Sequence, residues 1–408
     1  MLLPMMVQAQ TLEECQRAAE QNYPLIRQYD LIEKTTNLTV ANIQKGWLPQ
    51  VSASAQATYQ SDVVAFPDEF KQLYQQMGLD MKGLTKDQYR VAIDVNQTIY
   101  DGGAISSQKA IAREQGKVQA AQNEVNLYNV RKRVNEMYFS LLMLDEEIVL
   151  NRDLQELLAG NERKLQAMVK GGTAAESDWQ SVKAERLNVV QQATSLESQK
   201  RMLTVMLSTF CGIEVKNVQK PVAKAEDSRL TADNHRPELR VLDAQIGLLQ
   251  AQEKALNAAI MPKLGVFAQG YYGYPGLNMF EDMMSHDWSL NGIIGALYTR
   301  KNDKVKLRLQ RELTESNREV FLFNNSLEQI QQNEDIIRYQ RLMANDEEII
   351  ALRSAVRKAS ESKLSHGIID VNDLVREINQ ENAARVSQSM HEIEMLKQIY
   401  DNKFTTNN

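Results

Sequence analysis

The stretch from Ala104 to Gly212 contains no proline and constrains the fold of this chain most strongly. Its apolar spacing predicts a long helix, a short break at Lys170-Gly171-Gly172-Thr173, and a second helix. At about 1.5 Å per residue, the first arm from Ala104 to Val169 is roughly 100 Å long. Ordinary globular helices have only three or four turns. We therefore expect a helical hairpin that bundles along its length or spans a distance, and not one that folds back into a compact core.

Two segments before this hairpin alternate between small or apolar residues and polar residues. Residues 51–60 and 90–100 are about ten residues long, which suits a tilted strand that crosses a bilayer. A half-buried strand of a soluble sheet alternates in the same way, so the pattern leaves both interpretations open. Residues 61–88, between the two segments, have the composition of a loop. The candidates to line a wet pore are Ser52, Ser54, Gln56, Asp94 and Asn96.

The N-terminal region contains two different signals. Residues 1–9 combine a short apolar run with Val7-Gln8-Ala9, a pattern typical of the end of a secretory signal peptide. We expect this segment to be the remnant of a signal peptide that starts upstream, and we leave it out of the fold. Thr11-Leu12-Glu13-Glu14 then predicts a capping box at the start of a helix. This helix should run to about Lys45, with a kink at Pro24.

The order of elements starts again after a linker at residues 213–234. We expect a helix from His235, strands at 264–274 and 289–298, a second helical hairpin over 303–404 with its turn near 365–368, and a short tail at 405–408.

The two turns share a Gly-x5-Asp spacing. Gly367 follows Gly172 by 195 positions, and Asp373 follows Asp178 by the same number. Matched helices, strands and turns in the same order indicate an internal duplication. The first repeat then covers residues 10–212.

Composition excludes several classes of protein. With 43% hydrophobic and 25% charged residues, the chain is not disordered. Its net charge of −6 and its lack of a long basic run argue against nucleic acid as a partner. No catalytic constellation, metal-ligand spacing or phosphate loop is present, so we expect no enzyme activity and no cofactor. No 18-residue apolar stretch predicts a transmembrane helix. We expect Cys15 and Cys211 to be small buried apolar residues, not a disulfide.

Several motifs resemble those of TolC-family outer-membrane efflux proteins, and they occur in the family's order. The resemblance covers nearly the whole chain from residue 11. One departure is that the second pair of strands lacks the Asp-Gly-Gly ending of the first. The motifs are Thr11-Leu12-Glu13-Glu14-Cys15, Gly46-Trp47-Leu48-Pro49-Gln50-Val51, Tyr100-Asp101-Gly102-Gly103, Arg236-Pro237-Glu238-Leu239 and the two Gly-x5-Asp turns.

The resemblance implies a mainly α fold with a transmembrane β-barrel part. Four strands are too few to close a barrel within one chain. A homotrimer would share a 12-stranded barrel in the outer membrane, with four strands per chain, and its helical hairpins would form an α-barrel in the periplasm. The implied function is a passive exit duct of a tripartite efflux or type I secretion system, which moves small molecules or protein. The implied partners are outer-membrane lipid, a periplasmic adaptor (membrane fusion protein) and an inner-membrane pump of the RND or ABC type.

The resemblance also implies a constriction at the inner end of the tunnel. Asp373 matches an acid of the family six residues after Gly367, whereas Arg376 occupies the position of a second acid. Asp178 is the counterpart of Asp373 in the first repeat. We expect Asp178 mainly to cap its helix, and we leave capping and gating open for Asp373. The candidate adaptor contacts are Gly171, Gly172, Thr173, Gly367 and Ile368.

A different class of protein fits the same pattern. The chain would then be a structural coiled-coil protein without a channel, and its strands would form a small soluble sheet.

Overall fold

We describe the protein from a computed structural model. The structure describes residues 9–63, 67–78, 86–222, 233–274 and 296–407. Within them the chain is mainly helical, with one three-stranded sheet.

The chain begins with two helices, α1 (Leu12–Asn22) and α2 (Ile26–Gln44). The predicted capping box is present, because the amide of Glu14 donates to the Thr11 hydroxyl (3.2 Å) and the Thr11 amide donates to the Glu14 carboxylate (3.0 Å). The predicted single helix with a kink at Pro24 is wrong. Helix α1 stops before Pro24, because the residue before a proline is disfavoured in helical conformation.

Three strands form the sheet: β1 (Gln50–Tyr59), β2 (Asp87–Tyr100) and β3 (Leu264–Tyr274). Between β1 and β2, where the sequence predicted only a loop, lies helix α3 (Asp68–Gln76). Pro67 directly before this helix and two acids in its first turn are ordinary helix-start signals. The strand predicted at 289–298 falls mostly outside the described residues, and its last three residues belong to a helix.

The long helices are α4 (Ala104–Lys170, 67 residues), α5 (Glu176–Cys211, 36 residues), α7 (Ala296–Ser365, 70 residues) and α8 (Val371–Thr406, 36 residues). Helix α6 (Pro237–Ala258) precedes β3. Helix α7 starts seven residues before the predicted start of the second hairpin at 303.

The first two residues of the predicted tail at 405–408 belong to helix α8. Thr405 and Thr406 are buried. The backbone carbonyl of Thr405 accepts a hydrogen bond from Asn325 at 2.7 Å, and its hydroxyl accepts one from Gln332 at 2.9 Å. These buried amides on α7 hold the end of α8, and a sequence pattern based on apolar spacing does not detect them.

The chain divides into two compact units. The first unit comprises Met1–Tyr29, Ala120–Val241 and Ser316–Asn408. One of its apolar clusters joins α1, α4, α5 and α8, and contains Leu12, Tyr138, Phe139, Leu207, Cys211 and Ile393. A second cluster joins α4, α5 and α8, and contains Leu158, Leu165, Val182, Val189, Leu374 and Ile378. The two helical hairpins of this unit are therefore packed against each other over two separate cores.

The second unit comprises Asp30–Gln119 and Leu242–Glu315, and it contains the sheet. Lys109 on α4 donates a hydrogen bond to Gln44 on α2. Arg300 on α7 donates to Asn257 on α6 at 2.9 Å. In the described parts of the chain, every helix lacks the long apolar stretch that a membrane span requires.

A partly buried acid lies near the end of α8. Burial raises the pKa of Asp401 to about 6, although the positive charges of Lys397 and Lys132 oppose this shift. An unfolded aspartate has a pKa near 4. Between about pH 4 and pH 6 the folded state therefore binds the proton more tightly, and the stability falls as the pH rises through this window.

We predict that Asp401→Asn raises the free energy of unfolding by roughly 1–3 kcal/mol at pH 7.5, because the buried charge is removed. At pH 3.5 the substitution should have little effect, since Asp401 is then protonated in both states. Denaturant unfolding followed by circular dichroism measures both values. The exposed Glu319→Gln is the control and should change neither. An equal effect of Asp401→Asn at both pH values would contradict the account.

Candidate functional site: an amphipathic sheet and two helical turns

The register of the sheet brings the predicted pore-lining residues onto one face. Strand β2 is central and pairs antiparallel with β1 and β3. Ser52 is opposite Asp94, Ser54 is opposite Ala92, and Gln56 is opposite Arg90. Residues directly opposite each other in an antiparallel pair point to the same face. Ser52, Ser54, Gln56, Asp94 and Asn96 therefore share one polar face.

The same face continues onto β3 through a hydrogen-bonded network. The Arg90 guanidinium donates to the side-chain oxygen of Gln269 at 2.6 Å. The side-chain NH2 group of Gln269 donates to the Asp94 carboxylate. The Arg90 guanidinium also lies 4.3 Å from the centre of the Tyr271 ring. Sequence reasoning missed Arg90, Gln269 and Tyr271 as members of this face. The alternation within 264–274 contained the signal, but assigning a face to it requires the register.

The opposite face of the sheet is apolar and yet exposed. On β2 and β3, Val91, Ile93, Val266 and Tyr272 are between about half and two-thirds exposed. Burial of such side chains is favourable by about 25 cal/mol per Å². This face comprises Val51, Ala53, Ala55, Ala57, Val91, Ile93, Val266, Ala268 and Tyr272.

The edges of the sheet are open within the described chain. Every residue of β1 is exposed, and the strand pairs on one side only, with β2. Among the strands that the structure describes, β3 likewise pairs only with β2. A long edge strand with free backbone groups is a template for pairing with another strand.

The sheet is joined to helix α4 by the Tyr100-Asp101-Gly102-Gly103 motif. The buried Asp101 carboxylate accepts hydrogen bonds from the Gly103 amide (2.8 Å) and the Ile105 amide (2.5 Å). These bonds satisfy amides that have no partner at a helix start. The motif therefore starts the long helix immediately after β2.

The two hairpin turns have the same backbone closure. In the first turn the Thr173 amide donates to the Met168 backbone carbonyl at 2.9 Å. In the second turn the Ile368 amide donates to the Lys363 backbone carbonyl at 3.0 Å. Each turn contains a glycine with positive φ: 73° for Gly172 and 69° for Gly367. This is the usual glycine-containing end of a helix. The predicted adaptor contacts Gly171, Gly172, Thr173, Gly367 and Ile368 are all exposed.

Helices α5 and α8, which follow the two turns, start with different caps. The Asp178 carboxylate accepts the Ala175 amide at 3.2 Å, so Asp178 has the capping position that the sequence favoured. In the second turn the cap is Asp370, whose carboxylate accepts the Asp373 amide at 2.9 Å. Sequence reasoning missed Asp370. The carboxylate of Asp373 is therefore not needed for capping.

The structure brings Asp373 and Arg376 together as an ion pair. The Arg376 guanidinium lies 2.9 Å from the Asp373 carboxylate and 3.6 Å from Glu377. Arg353 on α7 approaches Glu377 at 3.9 Å. Both members of the first pair are partly exposed, so the pair adds little stability and mainly balances charge. Asp178 makes no described contact with this pair.

A buried charged network lies further along the same two helices. Glu381 on α8 forms ion pairs with Arg357 on α7 and with Arg385. Burial alone would raise the pKa of Glu381, but the hydrogen bonds from Arg385 and Arg357 hold it below its ordinary value. This network connects α7 to α8 behind the turn. The described chain contains no cluster of His, Cys, Asp and Glu that could hold a metal ion.

Helix α7 also presents an apolar stripe to its surroundings. Exposed apolar residues recur every three, four or seven positions, the spacing of a coiled-coil seam. They are Val305, Leu309, Leu313, Val320, Phe323, Leu327 and Ile330.

Comparison with solved structures finds this fold among outer-membrane channels. The outer-membrane channel OprN matches with a TM-score of 0.66 and 13% identity, over 97% of this chain and 89% of that chain. CusC, a protein studied for transmembrane channel formation, matches with a TM-score of 0.68 and 9% identity, over 97% and 91%. The outer membrane protein VceC of Vibrio cholerae matches with a TM-score of 0.65 and 10% identity, over 97% and 94%.

No protein-family model and no curated protein sequence matches this chain. The likeness is therefore one of fold. It extends over nearly the whole chain, and the chain has the fold of these outer-membrane channels.

We predict that Gly172→Ala and Gly367→Ala each destabilise the protein by about 1 kcal/mol, because a Cβ is strained at positive φ. A Cβ at either position would meet no atom within 4 Å, so the cost comes from the backbone alone. Gly160→Ala in the middle of α4 is the matched control, since its Cβ also meets no atom within 4 Å. It should stabilise by up to about 1 kcal/mol, because alanine is the better helix former. Urea unfolding measures all three, and stabilisation by either turn variant would contradict this account.

Proposed function

We propose that the chain is a TolC-family outer-membrane efflux protein, a trimeric channel that acts as the passive exit duct of a tripartite efflux or type I secretion system. It is a conduit and not an enzyme. The observation that carries this proposal is the amphipathic sheet. Its apolar face is exposed, its opposite face holds Ser, Gln, Asp, Asn and Arg, and its edges pair with no other described strand.

Such a sheet fits a barrel in lipid. The apolar face would contact acyl chains, and the polar face would line a water-filled pore. Lipid does not tolerate open edges, because backbone groups there have no water to bind. Three copies, each with these three strands and the fourth strand that the sequence alternation predicts, would close a shared 12-stranded barrel in the outer membrane.

The helices would continue the barrel as an α-barrel in the periplasm. The apolar stripe of α7 supports this part of the proposal, since a neighbouring copy would bury it. The matched closures at Thr173 and Ile368 support the proposed internal duplication, so that each chain supplies two similar hairpins. Transport would be passive, because a duct needs no substrate pocket and no energy source of its own.

The two turns would mark the inner end of the duct. We propose that Ile368, which is 69% exposed, and the glycines beside it contact a periplasmic adaptor. The adaptor would link the duct to an inner-membrane pump of the RND or ABC type. Small molecules or protein would then cross the periplasm and outer membrane in one step.

The alternative of a structural coiled-coil protein with a soluble sheet has less support. A soluble sheet buries its apolar face, whereas Val91, Ile93 and Tyr272 are at least half exposed. The experiment that separates the two proposals is conductance in a planar lipid bilayer. A channel gives discrete conductance steps, and a purified protein that never conducts would contradict the proposed duct.

Two adjacent residues of β1 offer a matched test of the two faces. Ala53 lies opposite Ile93 on the apolar face, and Ser54 lies opposite Ala92 on the polar face. Arginine on a lipid-facing position near the midplane costs about 2–4 kcal/mol, whereas substitutions toward the pore change selectivity. We predict that Ala53→Arg lowers the yield of the assembled outer-membrane protein, and that Ser54→Arg assembles and shifts the channel toward anions.

Yield is measured by fractionation and gel migration without heating, and selectivity by reversal potential in a salt gradient. A normal yield of Ala53→Arg together with loss of Ser54→Arg would reverse the assignment of the faces.

The ion pair between Asp373 and Arg376 leads to a second prediction. If three copies meet near this turn, each Asp373 carboxylate is already balanced by an Arg376 guanidinium 2.9 Å away. Arg376→Ala should therefore raise cation selectivity and create block by divalent cations, because a ring of acids attracts cations. Asp373→Ala should shift selectivity in the opposite direction.

Both variants are measured by reversal potential and by the current that remains after addition of a divalent cation. Thr173→Ala, a change of an exposed uncharged residue, is the control and should match the wild type. Unchanged selectivity in both charge variants would remove Asp373 and Arg376 from the proposed constriction.

A further inference from the structure

The two cysteines of the chain lie in the same buried cluster. Cys15 is on α1, and Cys211 is the last residue of α5. They are 196 positions apart in the sequence, and their exposures are 0% and 2%. The sequence-based expectation that both are small buried residues holds, but nothing in their spacing indicated that they are neighbours.

The Cys211 side chain contacts the backbone of Cys15. Its thiol donates to the backbone carbonyl of Cys15 at 3.3 Å. The Cys15 side chain lies in the same buried cluster. Both are free thiols in this structure. The hydrogen bond with Cys211 and burial raise the pKa of Cys15, so this thiol stays protonated in the folded chain.

Further contacts join helices α1 and α5 around the two cysteines. Asn22 at the end of α1 donates to the carbonyls of Thr209 and Phe210 at 3.2 Å each. The rings of Tyr23 and Phe210 lie 5.2 Å apart. Apolar side chains, Leu12 and Leu207 among them, fill the same cluster. The contact between the cysteines is therefore part of a packed interface and not a chance approach of two mobile side chains.

We propose that Cys15 and Cys211 are joined by a disulfide bond in the exported protein, a covalent link between α1 and α5. The proposal rests on the proposed function, because only export places the chain in an oxidising compartment. Two cysteines that pack this closely can be oxidised to a disulfide there. In a reducing compartment the same pair would stay as two apolar side chains.

The reaction needs an oxidant, and a periplasmic dithiol oxidase in its disulfide form supplies it. The thiolate of one cysteine attacks that disulfide, forms a mixed disulfide and releases one thiol of the oxidase. The thiolate of the other cysteine then attacks the mixed disulfide and releases the second thiol. The chain loses two protons and two electrons, and the oxidase is reduced. Because the folded thiols are buried, this exchange takes place during folding, before the cluster closes.

The bond would close a long loop. The segment between the cysteines contains β1, β2 and the whole first hairpin, and a link across such a loop restricts the unfolded chain strongly. The link also prevents α1 from separating from α5.

The test is a thiol count on the exported full-length chain. Cells are quenched in acid, and the protein recovered from the outer membrane is unfolded and alkylated, with and without prior reduction. We expect no alkylation without reductant, alkylation of both cysteines after reduction, and a peptide pair linked through Cys15 and Cys211. Cys15→Ser and Cys211→Ser are matched controls, and each should leave one thiol that is alkylated without reductant. The assay is read on unfolded protein, so a folding defect in a variant does not affect it.

Alkylation of both cysteines without reductant, in protein recovered from the outer membrane, would overturn the disulfide and leave the proposed function intact. Recovery of the chain in the cytoplasm with both thiols free would overturn the disulfide and the proposed function together. Membrane fractionation of the same samples distinguishes these outcomes.

Discussion

The unpaired backbone groups at the edges of the three-stranded sheet are the constraint on which the account depends. Strand β1 pairs with β2 along its whole length and with no other strand of the described chain. In water such an edge invites aggregation, and in lipid it is not tolerated. The apolar face of the sheet, which includes Val91 and Ile93 on the central strand β2, has a second requirement, because its exposed side chains need an apolar environment. Pairing between copies in a lipid environment satisfies both requirements at once.

The helical part has a comparable requirement. The two hairpins share a core around Leu158, Leu374 and Ile378. Helix α7 nevertheless keeps a stripe of exposed apolar residues that includes Leu309, Leu313 and Phe323. Long helices with an uncovered seam gain stability mainly from packing against further helices. Each turn is closed by a glycine with positive φ and by a backbone hydrogen bond, and the residues beside these glycines are exposed. These exposed features are consistent with the proposed assembly of several copies.

Much of this arrangement follows from local patterns in the sequence. Strict alternation in β1 and β2 marked Ser52 and Asp94 as members of the polar face of their own strands, because strand geometry has a period of two. The absence of proline and the Gly-x5-Asp turns located both hairpins. Patterns of this kind depend only on neighbours along the chain. They failed where another signal competed, as at α3, where loop-like composition obscured the start signals Pro67, Asp68 and Glu69.

Contacts between distant residues could not be predicted in this way. The Arg90–Gln269–Asp94 network depends on the register between β2 and β3. The meeting of Cys15 with Cys211 depends on how α1 packs against α5. The choice between Asp370 and Asp373 as cap depends on where α8 starts, since a start three residues later would put Asp373 at the N-cap. Each of these needs coordinates, because no local spacing encodes it.

We propose that this chain closes its sheet only together with other copies, in a membrane. Native mass spectrometry of the complex extracted from the outer membrane in mild detergent measures the number of copies. We predict three copies of the chain in one complex that dissociates only on unfolding. A stable, soluble monomer that is obtained without detergent would contradict it.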